Sequence, residues 1–175
     1  MSTWIYFVLG GLFVQGGHSY LLFSQKHDRK WSISDHAAVS ARTHAVYFVC
    51  HLLGGIGWFV GSYLVFDHTD FRYIFYISAA AAVFEVLQAT FRSKQGRIWS
   101  LHSLFAYLMW VGCMVTILLG TIELHLASWQ KIIASICLVP IIAMFIYMHI
   151  NRKQIYRLQY ATIYFFFIGM ITLSF

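Results

Sequence analysis

Six stretches of this chain run for about 20 residues with hardly a charge, and short loops, three of them rich in lysine and arginine, separate them. An α-helix rises about 1.5 Å per residue, so about 20 apolar residues are what it needs to cross the hydrocarbon of a bilayer. The stretches cover residues 4–23, 43–66, 71–91, 98–122, 129–150 and 156–175. They are apolar on nearly every side and show no period-two alternation, which favours helices over a membrane β-barrel. Composition agrees: 60% of the 175 residues are hydrophobic and only 10% are charged, where a water-soluble domain carries about a quarter. The sequence therefore predicts an all-α integral membrane protein, a six-transmembrane-helix bundle forming a single domain over residues 1–175. No Ser/Gly/Pro-rich linker or low-complexity segment divides it.

Basic residues set the expected orientation. Lys26, Arg29, Lys30 and Arg42 lie in the first loop, Arg92, Lys94 and Arg97 in the third, and Arg152, Lys153 and Arg157 in the fifth. Ten of the twelve Lys and Arg thus share one side, which the positive-inside rule makes cytoplasmic. Both termini are then expected on the non-cytoplasmic side of a bacterial inner membrane or its equivalent. The first stretch lacks a basic leader before it and reads as a retained helix instead of a cleaved signal. A net charge of +6 raises the question of nucleic acid, but the basic residues flank helix ends, where they hold loops in the cytoplasm and meet anionic membrane lipids. Cys50, Cys113 and Cys137 all fall inside apolar stretches with no Cys-x-x-Cys spacing, so no disulfide framework is expected.

Against this background the polar residues inside the spans stand out. The segment "SDHAAVSARTHAVYFVCHLLGG" places His36, His44 and His51 eight and seven residues apart, close to one face of a continuous helix. Ser34 is the expected N-cap, and Tyr47 and Gly54 continue the stripe. Gln15 and His18 sit three apart in the first span, Glu85 and Gln88 three apart in the third, His102 opens the fourth and His149 closes the fifth. With the proposed topology all of these fall in the cytoplasmic half of the bilayer. His68 and His125 belong to loops on the other side. Ionisable groups within a membrane are costly and by default suggest a functional interior site. For any single histidine, an interhelical hydrogen bond is the plainer explanation; agreement in depth is what points to a site.

Four uses fit those residues. The first is b-type haem for redox or electron transfer, with His18, His51 and His102 as candidate axial ligands, His51 and His102 the favoured pair, and Arg42 or Arg97 meeting the propionates. The second is a zinc- or iron-dependent membrane enzyme acting on a lipid or other apolar substrate. There His18, His44, His51, His102 and Glu85 are the candidate ligands, with Glu85 alternatively the catalytic base. The third is proton- or ion-coupled transport through protonation of the same His and Glu groups. The last is a non-catalytic anchor or partner in a homo-oligomer or membrane complex, for which Tyr156, Tyr160 and Tyr164 offer a helical seam. A quinone or a lipid is the expected small partner, and nucleic acid is not. The sequence has no His-Glu-x-x-His zinc motif, no desaturase-type histidine boxes, no rhomboid-like serine motif and no Walker-type phosphate loop.

Overall fold

The computed structural model of the chain describes residues 2–24, 32–91, 100–150 and 155–175, and all their side chains except those of residues 148, 149 and 155–158. Every regular element among the described residues is helical: α1 (Trp4–Ser24), α2 (Ile33–Ala37), α3 (Ala41–Phe66), α4 (Arg72–Thr90), α5 (Leu101–Glu123), α6 (Ser128–Ile150) and α7 (Ile155–Leu173). Five of them, α1, α3, α4, α5 and α6, are long and apolar enough to cross a membrane; the apolar part of α7, Gln159–Leu173, is shorter. The long helices follow one another around a ring: α1 packs on α3, α3 on α4, α4 on α5, α5 on α6, α6 on α7, and α7 returns to α1. Short α2 lies across one end of this ring, touching α1, α3 and α7. That end carries Arg42 and the chain ends leading into the basic loops, and is called the basic end below.

The segment before α3 departs from the expected continuous stripe. Two capping boxes follow each other in the sequence, and each starts its own helix. Ser32 accepts from the Asp35 backbone N–H while the Asp35 carboxylate accepts from the Ser32 N–H, which starts α2. Ser40 and Thr43 repeat the exchange and start α3. Reciprocal capping of this kind satisfies two otherwise orphaned backbone donors at each start. Ser32, not Ser34, is therefore the N-cap, and the chain turns between the two helices. His36 ends on a different helix from His44 and His51, its Nδ1 2.8 Å from the Ser32 carbonyl oxygen.

Helices α1 and α3 approach closely because glycine faces glycine. A methyl group built on Gly57 would lie 2.8 Å from the Tyr6 carbonyl oxygen and 3.1 Å from Gly10 Cα; one built on Gly17 would lie 2.7 Å from Cys50 Cβ. Small residues at such crossings let backbones meet where lipid supplies no hydrophobic drive. Toward the other end the bundle fills with Phe7, Phe66, Ile74, Ile117 and Met170, all fully buried. That end is closed by polar and aromatic contacts: Arg72 Nε donates to Asp67 Oδ1 at 2.6 Å, Thr3 Oγ1 to the Ser174 carbonyl at 2.9 Å, and Trp4 stacks on Phe175.

Candidate functional site

Close α1–α3 packing puts His18 against His51. Their Nε2 atoms are 3.0 Å apart, and on the far side of the His51 ring Nδ1 lies 2.6 Å from Glu85 Oε1 on α4. Gln88, one turn further along α4, donates from Nε2 to Glu85 Oε2 at 2.7 Å. His18, His51, Glu85 and Gln88 are 1%, 2%, 6% and 5% exposed as whole residues, so this chain of polar groups runs inside the bundle. Tyr47, one turn before His51, is buried against it with ring centroids 4.0 Å apart.

The carboxylate decides the tautomers. When Glu85 is ionised it only accepts, so His51 Nδ1 then carries a hydrogen and donates it to Glu85. The neutral His51 ring then presents a lone pair at Nε2, and His18 Nε2–H is the donor that fills it. A single proton thus lies between the two imidazoles. An excess proton on this pair gives an imidazolium bonded to a carboxylate, the charge-assisted arrangement that is short and strong in a low dielectric.

His102 enters from the first turn of α5. Helix α4 ends at Thr90, and the last carbonyls of a helix have no partner within it. His102 Nδ1 meets two of the carbonyls at this end, Gln88 O at 2.7 Å and Phe91 O at 3.2 Å. Its hydrogen is therefore on Nδ1 and its lone pair on Nε2, to which no described residue donates. The 6% exposed ring lines a cavity of about 60 Å³. His18, Tyr47, His51, Glu85 and Gln88 line the same cavity, with Trp58, Met109, Trp110, Phe166 and Phe167 as its apolar wall and Ile33 and Ser34 of α2 beside it. Among the described residues that line it there is no Lys or Arg, and Glu85 is the one carboxylate. Room for one water takes roughly 10–15 Å³, so the space admits several waters and is far below the 300 Å³ or so where drug-sized ligand pockets begin.

Of the residues expected at a site, His18, His51, Glu85 and His102 line this one cavity. His44, two turns nearer the basic end on α3, is half-buried and does not reach it; Arg42 is exposed at the start of α3. Arg97 lies outside the described residues, as does the side chain of His149. His68 and His125 are exposed at the opposite end. Trp110 and Gln159 contribute to the lining without having been singled out in the sequence. Trp110 was findable, since it stands eight residues after His102 and hence on nearly the same helix face. Also unanticipated is an uncharged polar cluster beyond the cavity, where Trp58 Nε1 donates to Ser78 Oγ at 2.9 Å and Ser78 Oγ lies 2.7 Å from Ser62 Oγ.

Two opposed imidazoles 3.0 Å apart are at hydrogen-bond distance. Bound to one ion at about 2.0–2.1 Å each, tetrahedral ligands sit roughly 3.3 Å apart and opposed ligands roughly 4 Å. Among the described residues, no group of three or more His, Cys, Asp or Glu side chains converges as a ligand set for a metal ion. No protein-family model matches the chain, and no curated protein or solved structure is significantly similar to it.

Proposed function

We propose that the chain is a six-span integral membrane protein, with both termini on the non-cytoplasmic side, that binds and exchanges a proton in the cytoplasmic half of the bilayer and works as a proton-coupled membrane protein, a transporter being the simplest form. A sixth span is supported by the length of α7: its 19 residues rise about 28 Å, close to the hydrocarbon thickness. The observation that carries the functional reading is the unbroken chain His18–His51–Glu85, with links of 3.0 and 2.6 Å, inside an apolar bundle. A buried carboxylate with no Lys or Arg beside it among the described residues calls for a compensating cation, and the imidazole pair offers a proton a place to sit. Several waters' worth of space next to His102 Nε2 provides a way for that proton to arrive.

The test is an infrared pH titration of the reconstituted protein. A carboxylate band that shifts as pH falls, when the imidazole pair bonded to it takes its proton, and that is absent from Glu85→Gln is expected. A spectrum identical in wild type and Glu85→Gln across the accessible pH range contradicts the reading.

A second reading has one specific observation in its favour. His102 holds Nδ1–H on a backbone carbonyl and turns Nε2 into an aromatic-walled cavity, as an axial haem ligand or a zinc or iron ligand would. A macrocycle requires several times the present cavity, so haem b would demand that α5 or α7 stand further out. An absorption spectrum and elemental analysis separate the readings. A Soret band or stoichiometric metal that His102→Ala removes favours the cofactor; neither signal is expected if the site holds a proton alone.

A further inference from the structure

The polar chain does not stop at Glu85. Trp58 lies seven residues beyond His51 on α3, about 10 Å further from the basic end. Its indole lines the cavity and donates to Ser78, which in turn meets Ser62. All three side chains are buried, at 1%, 0% and 0% exposure. Taken as hydrogen bonds alone, this resembles a path leading toward the opposite end of the bundle.

Proton chemistry breaks it at the first step. An indole nitrogen is a donor only: it has no lone pair with which to take a proton from the cavity before releasing its own. Beyond the serines, Phe66 follows Ser62 by one turn and is fully buried together with Phe7 and Ile74. In the other direction the situation differs. His102, Tyr47 and Ser34 carry groups able both to donate and to accept from the cavity toward the basic end.

We infer that the proton site communicates with the basic end alone, closed toward the opposite end by Trp58 and Phe66 in series. This inference rests on the proton reading above. Among the described residues the titratable groups facing the chain are His18 on α1, Asp35 of neighbouring α2, Tyr47 and His51 on α3, Glu85 on α4, His102 and Cys113 on α5 and Tyr160 on α7. None lies beyond Trp58. The protein so built cannot leak protons in its present conformation, and any net transfer requires Trp58 to leave Ser78.

The experiment uses sealed vesicles holding the full chain in either orientation, a pH jump applied outside, and the Glu85 carboxyl band followed in time against Glu85→Gln. With the basic end outward, the band should follow the jump at once. With the opposite end outward, it should change only as fast as the vesicle interior acidifies. Trp58→His supplies an imidazole that both donates and accepts, and Phe66→Ser supplies a hydroxyl. Each alone should leave the sidedness intact, whereas the double variant should speed the response from the opposite end by on the order of tenfold or more. An intact fast response from the basic end verifies that the double variant is folded. Equal rates from both ends in wild type, or a folded double variant that stays one-sided, overturns the inference. Loss of any Glu85-dependent band would instead overturn the proton reading beneath it, and this inference with it.

Discussion

Glu85 and His51 are unequal partners when one of them is removed. His51→Ala leaves the Glu85 carboxylate buried with Gln88 as its one remaining donor among the described residues. Once the imidazole pair holds its proton, the contact is a buried ion pair, and breaking such a pair from one side costs about 3–5 kcal/mol. Glu85→Gln keeps an amide oxygen in reach of His51 Nδ1 and removes the charge, so its cost should fall near the 1–3 kcal/mol of a weakened buried hydrogen bond. The double substitution His51→Ala/Glu85→Ala should recover part of the loss, because no charge is then left unpaired. Unfolding in mixed micelles, read as the shift in denaturant midpoint for the four proteins, measures this order. A Glu85→Gln variant less stable than His51→Ala would contradict the electrostatic account. His44→Ala, outside the cavity, should leave the carboxyl titration unchanged.

At the scale of the element, the α1–α3 crossing sets the 3.0 Å contact between His18 and His51. Gly57→Ala places a methyl against the Tyr6 carbonyl and the Gly10 backbone, neither of which can rotate away. Overpacking of this kind costs about 1–3 kcal/mol, and by parting the helices it should also weaken the imidazole contact and the Glu85 titration that depends on it. Gly16→Ala meets open space and is the matched control. The α3–α4 hairpin at the opposite end carries a pH dependence of its own. The hydrogen bond from the exposed Arg72 guanidinium, aided by its charge, holds the Asp67 carboxyl below its usual value. A lowered carboxyl contributes stability above its unfolded value, near 3.9, and loses it as pH falls through the lowered folded value. Arg72→Ala should therefore cost a little at neutral pH and nothing in strong acid, as thermal melts at both pH values would register. Helix positions were largely legible in the sequence because apolar run length is set by the bilayer, and the described helix ends fall within three residues of the runs. The break between α2 and α3 was not. It depends on two competing capping boxes, and a periodicity argument that treats His36, His44 and His51 as one helix overlooks the second start at Ser40.

Over the whole molecule, orientation and site are linked by the same arithmetic of charge. In the proposed topology ten of the twelve Lys and Arg fall in loops on the cytoplasmic side, and His18, His51, Glu85 and His102 lie in the half of the bundle nearest it. Reporter fusions to the N- and C-termini should both read as non-cytoplasmic, and a fusion in the Ser24–Arg42 loop as cytoplasmic; the opposite pattern would reverse the sidedness of the proton site. The sequence could nominate His18, His51, Glu85 and His102 by depth, since depth follows from helix position. It could not assign partners, because which imidazole meets which depends on the order of helices around the ring. Adjacent inner helix ends favour His51 with His102, or His18 in place of either, whereas the glycine crossing brings His18 to His51. Trp58 illustrates the same limit: its place with Tyr47 on the histidine face of α3 suits stacking against a ring, but among 33 Phe, Trp and Tyr residues nothing in the sequence assigns its N–H to Ser78.

The most direct measurement is the ¹⁵N resonance of each histidine ring in the reconstituted protein as pH is varied. If a proton is shared along His18, His51 and Glu85, the two rings titrate together, show a coupling between their Nε2 nuclei, and both shift in Glu85→Gln while His68 and His125 do not. Independent titration of His18 and His51, with neither responding to Glu85→Gln, would contradict the account.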